Sequence, residues 1–143
     1  MEQKTVSIQK VALDSCVVID LIEKKDFAHK LKKSLKGKSI RLVLCDVVLN
    51  EVQRVRGFTA AEVISKISRL VGKKVEISSI DDDQKILADA ITTQYQFCHK
   101  VDNLILTLCK AMDFVLLTFD RMLLKACEFA GVAAFHPSMA GGI

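Results

Sequence analysis

An apolar run, Phe114 to Phe119, ends abruptly in Asp120, and a helical pattern flanks it on each side. Upstream, Ile105, Leu108, Cys109 and Met112 recur at three- and four-residue spacing, the buried stripe of a helix. Downstream, Met122 to Ala130 read as another helix, closed by Gly131. A nearly unbroken apolar strand between two helices suits the centre of a parallel sheet whose faces are both covered. In open parallel sheets, ligands gather outside the carboxyl ends of the strands. Asp120 therefore stands where chemistry is expected. A carboxylate closing an apolar strand must be hydrogen-bonded, exposed or matched with a cation.

The same alternation runs through the chain. Thr5 to Leu13 reads as a strand leading to Asp14, and Asp14 or Ser15 can cap the helix that carries Val17, Val18, Leu21 and Ile22. A second helix starts near Asp26, turns Phe27, Leu31 and Leu35 inward and stops at Gly37. Ile40 to Cys45 is a second apolar strand. Asp46 is placed to cap the next helix, whose stripe is Val48, Leu49, Val52 and Val55. Thr59 and Glu62 form a capping box ahead of Val63, Ile64, Ile67, Leu70 and Val71. Val75 to Ile80 is extended, and Asp81 with Gln84 starts a helix bearing Ile86, Leu87, Ala90 and Ile91. Val132 to Phe135 is a last strand. These elements predict an α/β fold, a central parallel sheet with helices on both faces, as a single domain over 1–136 with a frayed tail at 137–143.

A chain of 143 residues has room for one core, and no apolar run is long enough to span a bilayer. The N-terminal MEQKTVSIQK lacks an apolar signal core, which predicts a cytoplasmic protein with no membrane partner. The five cysteines are an odd number without a Cys-x-x-Cys pair, which suits buried free thiols in a reducing compartment rather than zinc.

Two strands end in aspartates kept for chemistry, Asp14 and Asp120. Glu51 rides the helix after the second strand, and Asp102 opens the helix that leads into Phe114 to Phe119. If the strands are parallel, these four carboxylates converge on one edge. Clustered carboxylates repel one another unless a cation sits among them. Oxygen-only ligands favour Mg²⁺ or Mn²⁺. Such a site activates water and stabilises the leaving oxygen of a phosphodiester.

In this order of acids the chain resembles the PIN-domain ribonucleases over nearly its whole length. The stretches that carry the resemblance are VALDSCVVIDLI with Asp14, VVLNEVQRV with Glu51, KVDNLILTLC with Asp102 and VLLTFDRML with Asp120. Thr118 resembles the threonine of the family's Thr-x-Asp, and Ser15 its small hydroxyl residue. Phe119, Met122 and Asp46 depart from the pattern, where the family often has Asn, a polar residue and a hydroxyl cap. The resemblance implies a three-layer PIN-like fold and catalytic, metal-binding roles for Asp14, Glu51, Asp102 and Asp120, with Ser15 and Thr118 in support. It implies an endoribonuclease using Mg²⁺ or Mn²⁺ on an RNA substrate. Small members are often toxins, homodimeric and silenced by an antitoxin protein. Others process RNA, and a non-catalytic PIN scaffold for RNA or protein is the further alternative.

Each acid also has a plainer reading. Asp14 and Asp120 can be helix caps, Asp102 an acid favoured by a helix dipole, and Glu51 a solvated side chain. The four together, each at its station, favour the site. A phosphorylated receiver domain ranks low, because Asp14 is followed by Ser15 and Cys16 rather than a second acid. Lys24, Lys25, Arg54 and Arg56 are the expected RNA contacts, within a chain of net charge +4. His29, His99 and His136 have no partner spacing and receive no chemistry. Aromatic residues are few and apolar-patterned, so base stacking is not expected.

Overall fold

The computed structural model describes residues 7–94 and 100–143. Five strands, β1 (Gln9–Leu13), β2 (Ile40–Cys45), β3 (Val75–Ser78), β4 (Val115–Leu117) and β5 (Ala134–Phe135), form one sheet in the order β3-β2-β1-β4-β5. Every pairing is parallel. The three inner strands are nearly continuous runs of Val, Leu and Ile, because both faces of a parallel sheet must be buried. Val11, Leu42, Val43, Leu44, Leu116 and Leu117 are fully buried.

Helices α1 (Ser15–Glu23), α2 (Lys25–Leu35), α3 (Asp46–Arg56) and α4 (Ala60–Val71) occupy the two connections that run from β1 to β3. Right-handed crossovers in one direction put them on one face. The chain then crosses back through α5 (Asp82–Gln94) and α6 (Lys100–Met112) to β4, and α7 (Arg121–Ala130) leads on to β5. The reversed direction puts α6 and α7 on the other face, where they pack together. The order therefore reverses between β1 and β4. That reversal opens a crevice at the carboxyl ends of these two strands, the usual ligand position in such sheets.

Local signals in the sequence fix most boundaries. Asp14 caps α1 and Asp120 caps α7. Thr59 Oγ1 accepts from the Glu62 N–H at 3.2 Å. Asp81 and Gln84 close a reciprocal box, with Gln84 N–H donating to Asp81 Oδ1 at 2.7 Å and Asp81 N–H to Gln84 Oε1 at 3.0 Å. Gly57 and Gly131 end α3 and α7 in the left-handed region, at φ 74° and 76°, where a side chain is strained.

Several expectations need correction. Val55 and Met112 are exposed, because each lies in the last turn of its helix and projects past the core. Ile86 and Leu87 are also exposed and Ala88 is buried in their place, since α5 packs on α6 rather than on the sheet. The side chain of Ile91 lies outside the described residues. Cys16 is exposed, while Cys45, Cys109 and Cys127 are buried free thiols and Cys98 lies outside the described residues. Asp46 is the first residue of α3 rather than its cap: its Oδ1 accepts from Val47 N–H at 2.8 Å and from Ile80 N–H at 3.4 Å, which ties α3 to the segment after β3. Residues expected to fray form a 3-10 helix, Pro137–Gly142, against α2. Pro137 and Ala140 are buried there, and Lys38 Nζ donates to the Ile143 carbonyl at 2.8 Å.

Glu76 on β3 joins Lys10 on β1 at 2.6 Å and Arg41 on β2 at 3.4 Å. The Lys10 ammonium, with help from Arg41, holds this carboxyl below its ordinary range. A depressed carboxylate stabilises the fold above its unfolded pKa, and the gain is lost as pH falls through the folded value. The pair is partly exposed, so screening limits it to less than about 1 kcal/mol. Glu76→Gln is expected to shift the urea midpoint slightly at pH 7 and to leave it unshifted in acid below the folded pKa. An equal shift at both pH values would disprove the charge account.

Candidate active site

The carboxyl ends of β1 and β4 are neighbours by register, since Leu13 pairs with Leu117. Asp14 N–H donates to the Leu117 carbonyl at 3.1 Å, which continues the ladder one step past the strand. Asp14 is buried, and both its oxygens are engaged. Oδ1 accepts from Ser15 N–H at 2.8 Å and more weakly from Ser15 Oγ at 3.4 Å. Oδ2 accepts from Thr118 Oγ1 at 2.7 Å. A buried carboxylate is tolerated when it is hydrogen-bonded in this way.

Thr118 joins the two acids of the crevice. It is fully buried, and its Oγ1 also accepts from the Asp120 N–H at 3.1 Å. Asp120 Oδ1 accepts from Met122 N–H at 2.9 Å and Leu123 N–H at 3.2 Å, an N-cap on α7. Among the described residues, Asp120 Oδ2 accepts no hydrogen bond. The plain reading of Asp120 as a cap is thus correct for one oxygen.

Glu51 on α3 and Asp102 in the first turn of α6 are both half-buried. The thiol of Cys16 reports their position. Partial burial pushes this thiol up, and the charges of Asp14, Glu51, Asp20 and Asp102 push it further. Three of the four expected acids therefore act on one point at the start of α1. Asp120 joins the group through Thr118 and Asp14. Asp20 on α1 belongs to this negative field as well. It stands at i, i+4 from Cys16, which puts both on one face of α1.

The donor set is carboxylate oxygen with hydroxyls in support, the chemistry that suits a hard divalent cation. Among the described residues, no three His, Cys, Asp or Glu side chains are gathered closely enough to form a ready metal site. Carboxylates drawn to ligand distance repel one another unless a cation offsets the repulsion. Cys45, whose thiol is pushed up to about 12 chiefly by burial, is no competing ligand, because only a thiolate binds metal well.

Two of the four expected RNA contacts are already paired. Lys24 meets Asp20 at 3.2 Å, and Arg56 meets Glu23 at 3.3 Å. Lys25 and Arg54 are exposed on α2 and α3.

Comparison with known proteins agrees with this architecture. The family model of the PIN domain matches residues 11–128. No curated protein matches the chain. Among solved structures, VapBC2 from Rickettsia felis bound to a promoter DNA fragment superposes with a TM-score of 0.68 at 16% identity, covering 90% of this chain and 98% of that one. VapBC-1 from nontypeable Haemophilus influenzae gives 0.63 at 16% identity, covering 91% and 99%. VapC20 from Mycobacterium tuberculosis, a sarcin–ricin-loop-cleaving toxin, gives 0.61 at 16% identity, covering 81% and 94%. Identities this low speak for the fold, and the family match spans most of the sequence. With its parallel β3-β2-β1-β4-β5 sheet and the aspartates that close β1 and follow β4, this chain belongs to the PIN domain family.

Proposed function

We propose that this chain is a metal-dependent endoribonuclease and the toxin of a toxin–antitoxin pair. The observation that carries the proposal is the Asp14–Thr118–Asp120 hydrogen-bonded link at the reversal of the sheet, within the field of Glu51 and Asp102. Asp14, Glu51, Asp102 and Asp120 would hold Mg²⁺ or Mn²⁺. When bound, the ion supplies Lewis-acid chemistry, activating water and offsetting charge on the phosphodiester. The chain's own residues do the positioning. Ser15 N–H and Thr118 Oγ1 fix the Asp14 carboxylate, so it has little rotamer freedom left to lose. The α7 cap holds Asp120 in the same way and leaves Oδ2 for the ligand. Lys25 and Arg54 would contact the RNA backbone.

The neighbours support the toxin half of the proposal: several are VapBC or FitAB assemblies, and one is described as a toxin that cleaves the sarcin–ricin loop. The same reading makes this chain a cytoplasmic homodimer silenced by an antitoxin. The direct test incubates the purified chain with RNA and Mn²⁺. Cleavage is expected, with loss on chelation and recovery on returning the metal. Intact RNA at saturating Mn²⁺ would refute it.

One observation favours a second reading, a PIN scaffold that binds RNA or protein without cutting. Phe119 and Met122 replace residues the family often keeps polar, and Phe119 packs against Phe27 instead of serving the acids. Calorimetry with Mn²⁺ separates the readings, because a scaffold has no need of the ion.

A further inference from the structure

Phe119 directly precedes Asp120, and its ring lies 5.3 Å from that of Phe27 on α2 and 5.3 Å from the imidazole of His136. The first pair is tilted by 48° and the second meets edge-on at 75°, arrangements that aromatic rings prefer. All three side chains are half-buried and line a groove of about 540 Å³ between α2 and the C-terminal 3-10 helix. Lys30 and Lys33 line the same groove, and no carboxylate is among its described lining residues. Beyond Phe27 and Lys30 a second hollow, bordered by Lys24 and Lys25, holds Asp26 as its one acid. The imidazole is fixed: Ser138 N–H donates to His136 Nδ1 at 3.2 Å, so Nε2 carries the proton and is a donor.

An aromatic platform flanked by cations is how proteins hold single-stranded nucleic acid, with bases on the rings and phosphates on the cations. Here the platform begins one residue from an acid of the candidate site. We propose that the Phe27–Phe119–His136 groove is a nucleobase subsite, in which a base of single-stranded RNA stacks on the rings while Lys30 and Lys33 hold its flanking phosphates. The positive rim and the lack of acids favour a polyanion over a peptide. The inference rests on the nuclease reading only in taking RNA as the partner.

The test uses the wild-type chain and a single-stranded RNA oligonucleotide containing 2-aminopurine, whose fluorescence is quenched by stacking. Binding is titrated in chelator, and cleavage of the unlabelled oligonucleotide is followed separately in Mn²⁺. Saturable quenching is expected. Phe27→Leu keeps aliphatic packing and should remove the quench and weaken binding roughly tenfold. His136→Ala should weaken binding, with the lost cap of the 3-10 helix read separately as a lower melting temperature, and a Lys30→Ala, Lys33→Ala double variant should flatten the salt dependence. Unaltered quench and affinity in both Phe27→Leu and His136→Ala would overturn the subsite. Cleavage without quenching overturns the subsite and leaves the nuclease reading intact. Quenching without cleavage supports the subsite and overturns the catalytic reading. Neither signal overturns both.

Discussion

Asp14→Asn is expected to lower Mn²⁺-dependent RNA cleavage by at least about 100-fold, the upper range for groups that merely support metal ligands. The substitution removes one charge from the negative crevice and keeps the size of the side chain. Asn can still accept from Ser15 N–H, but its amide then faces Thr118 Oγ1, which at present donates to Oδ2 at 2.7 Å. The Thr118 hydroxyl must turn away, so the fold should lose about 1 kcal/mol, the size of one ordinary hydrogen bond. Activity would then fall far more than stability. Kinetics, Mn²⁺ calorimetry and urea unfolding on one preparation check this. Undiminished cleavage would remove Asp14 from the chemistry, and the proposed four-acid metal site with it.

Thr118→Val is expected to act on both quantities. Valine matches threonine in shape, so packing of this fully buried site is retained. The change strips a donor from Asp14 Oδ2 and an acceptor from Asp120 N–H. Leaving buried partners unsatisfied costs about 1–3 kcal/mol. The two acids also lose their only described bridge, and cleavage should fall about 10- to 100-fold through misplacement. Thr118→Ser restores the hydroxyl and should recover most of the activity. If Ser and Val lose activity equally, the methyl group and its packing matter, and the bridging role is wrong.

The fold was legible because parallel sheets write themselves plainly. VAL before Asp14, IRLVLC and VLL before Thr118 are apolar on both faces, and helix starts carry their caps beside them. Helix faces were less legible near their ends. Val55, Met112, Ile86 and Leu87 keep the period of a buried stripe, yet what covers a helix is decided by elements distant in sequence. Asp14, Asp102 and Asp120 could be placed at a strand end, a first helical turn and a helix cap from local signals, whereas Glu51 lies mid-helix with no such signal. The Phe27–Phe119–His136 cluster was not, because each residue looks ordinary in its own segment and only the fold brings them together. The exposure of Cys16 was hidden for a similar reason: it opens α1 on the side that faces the crevice instead of the core.

The place of β1 has a further consequence. It is the first of the described strands and lies mid-sheet, yet its partner β4 ends at Leu117. On the ribosome, one edge of β1 must wait until that distant stretch has emerged, and pairings of such long sequence separation form slowly. The bond from Thr118 to Asp14 closes only then. The crevice between β1 and β4 is thus completed only once both distant stretches of chain are present.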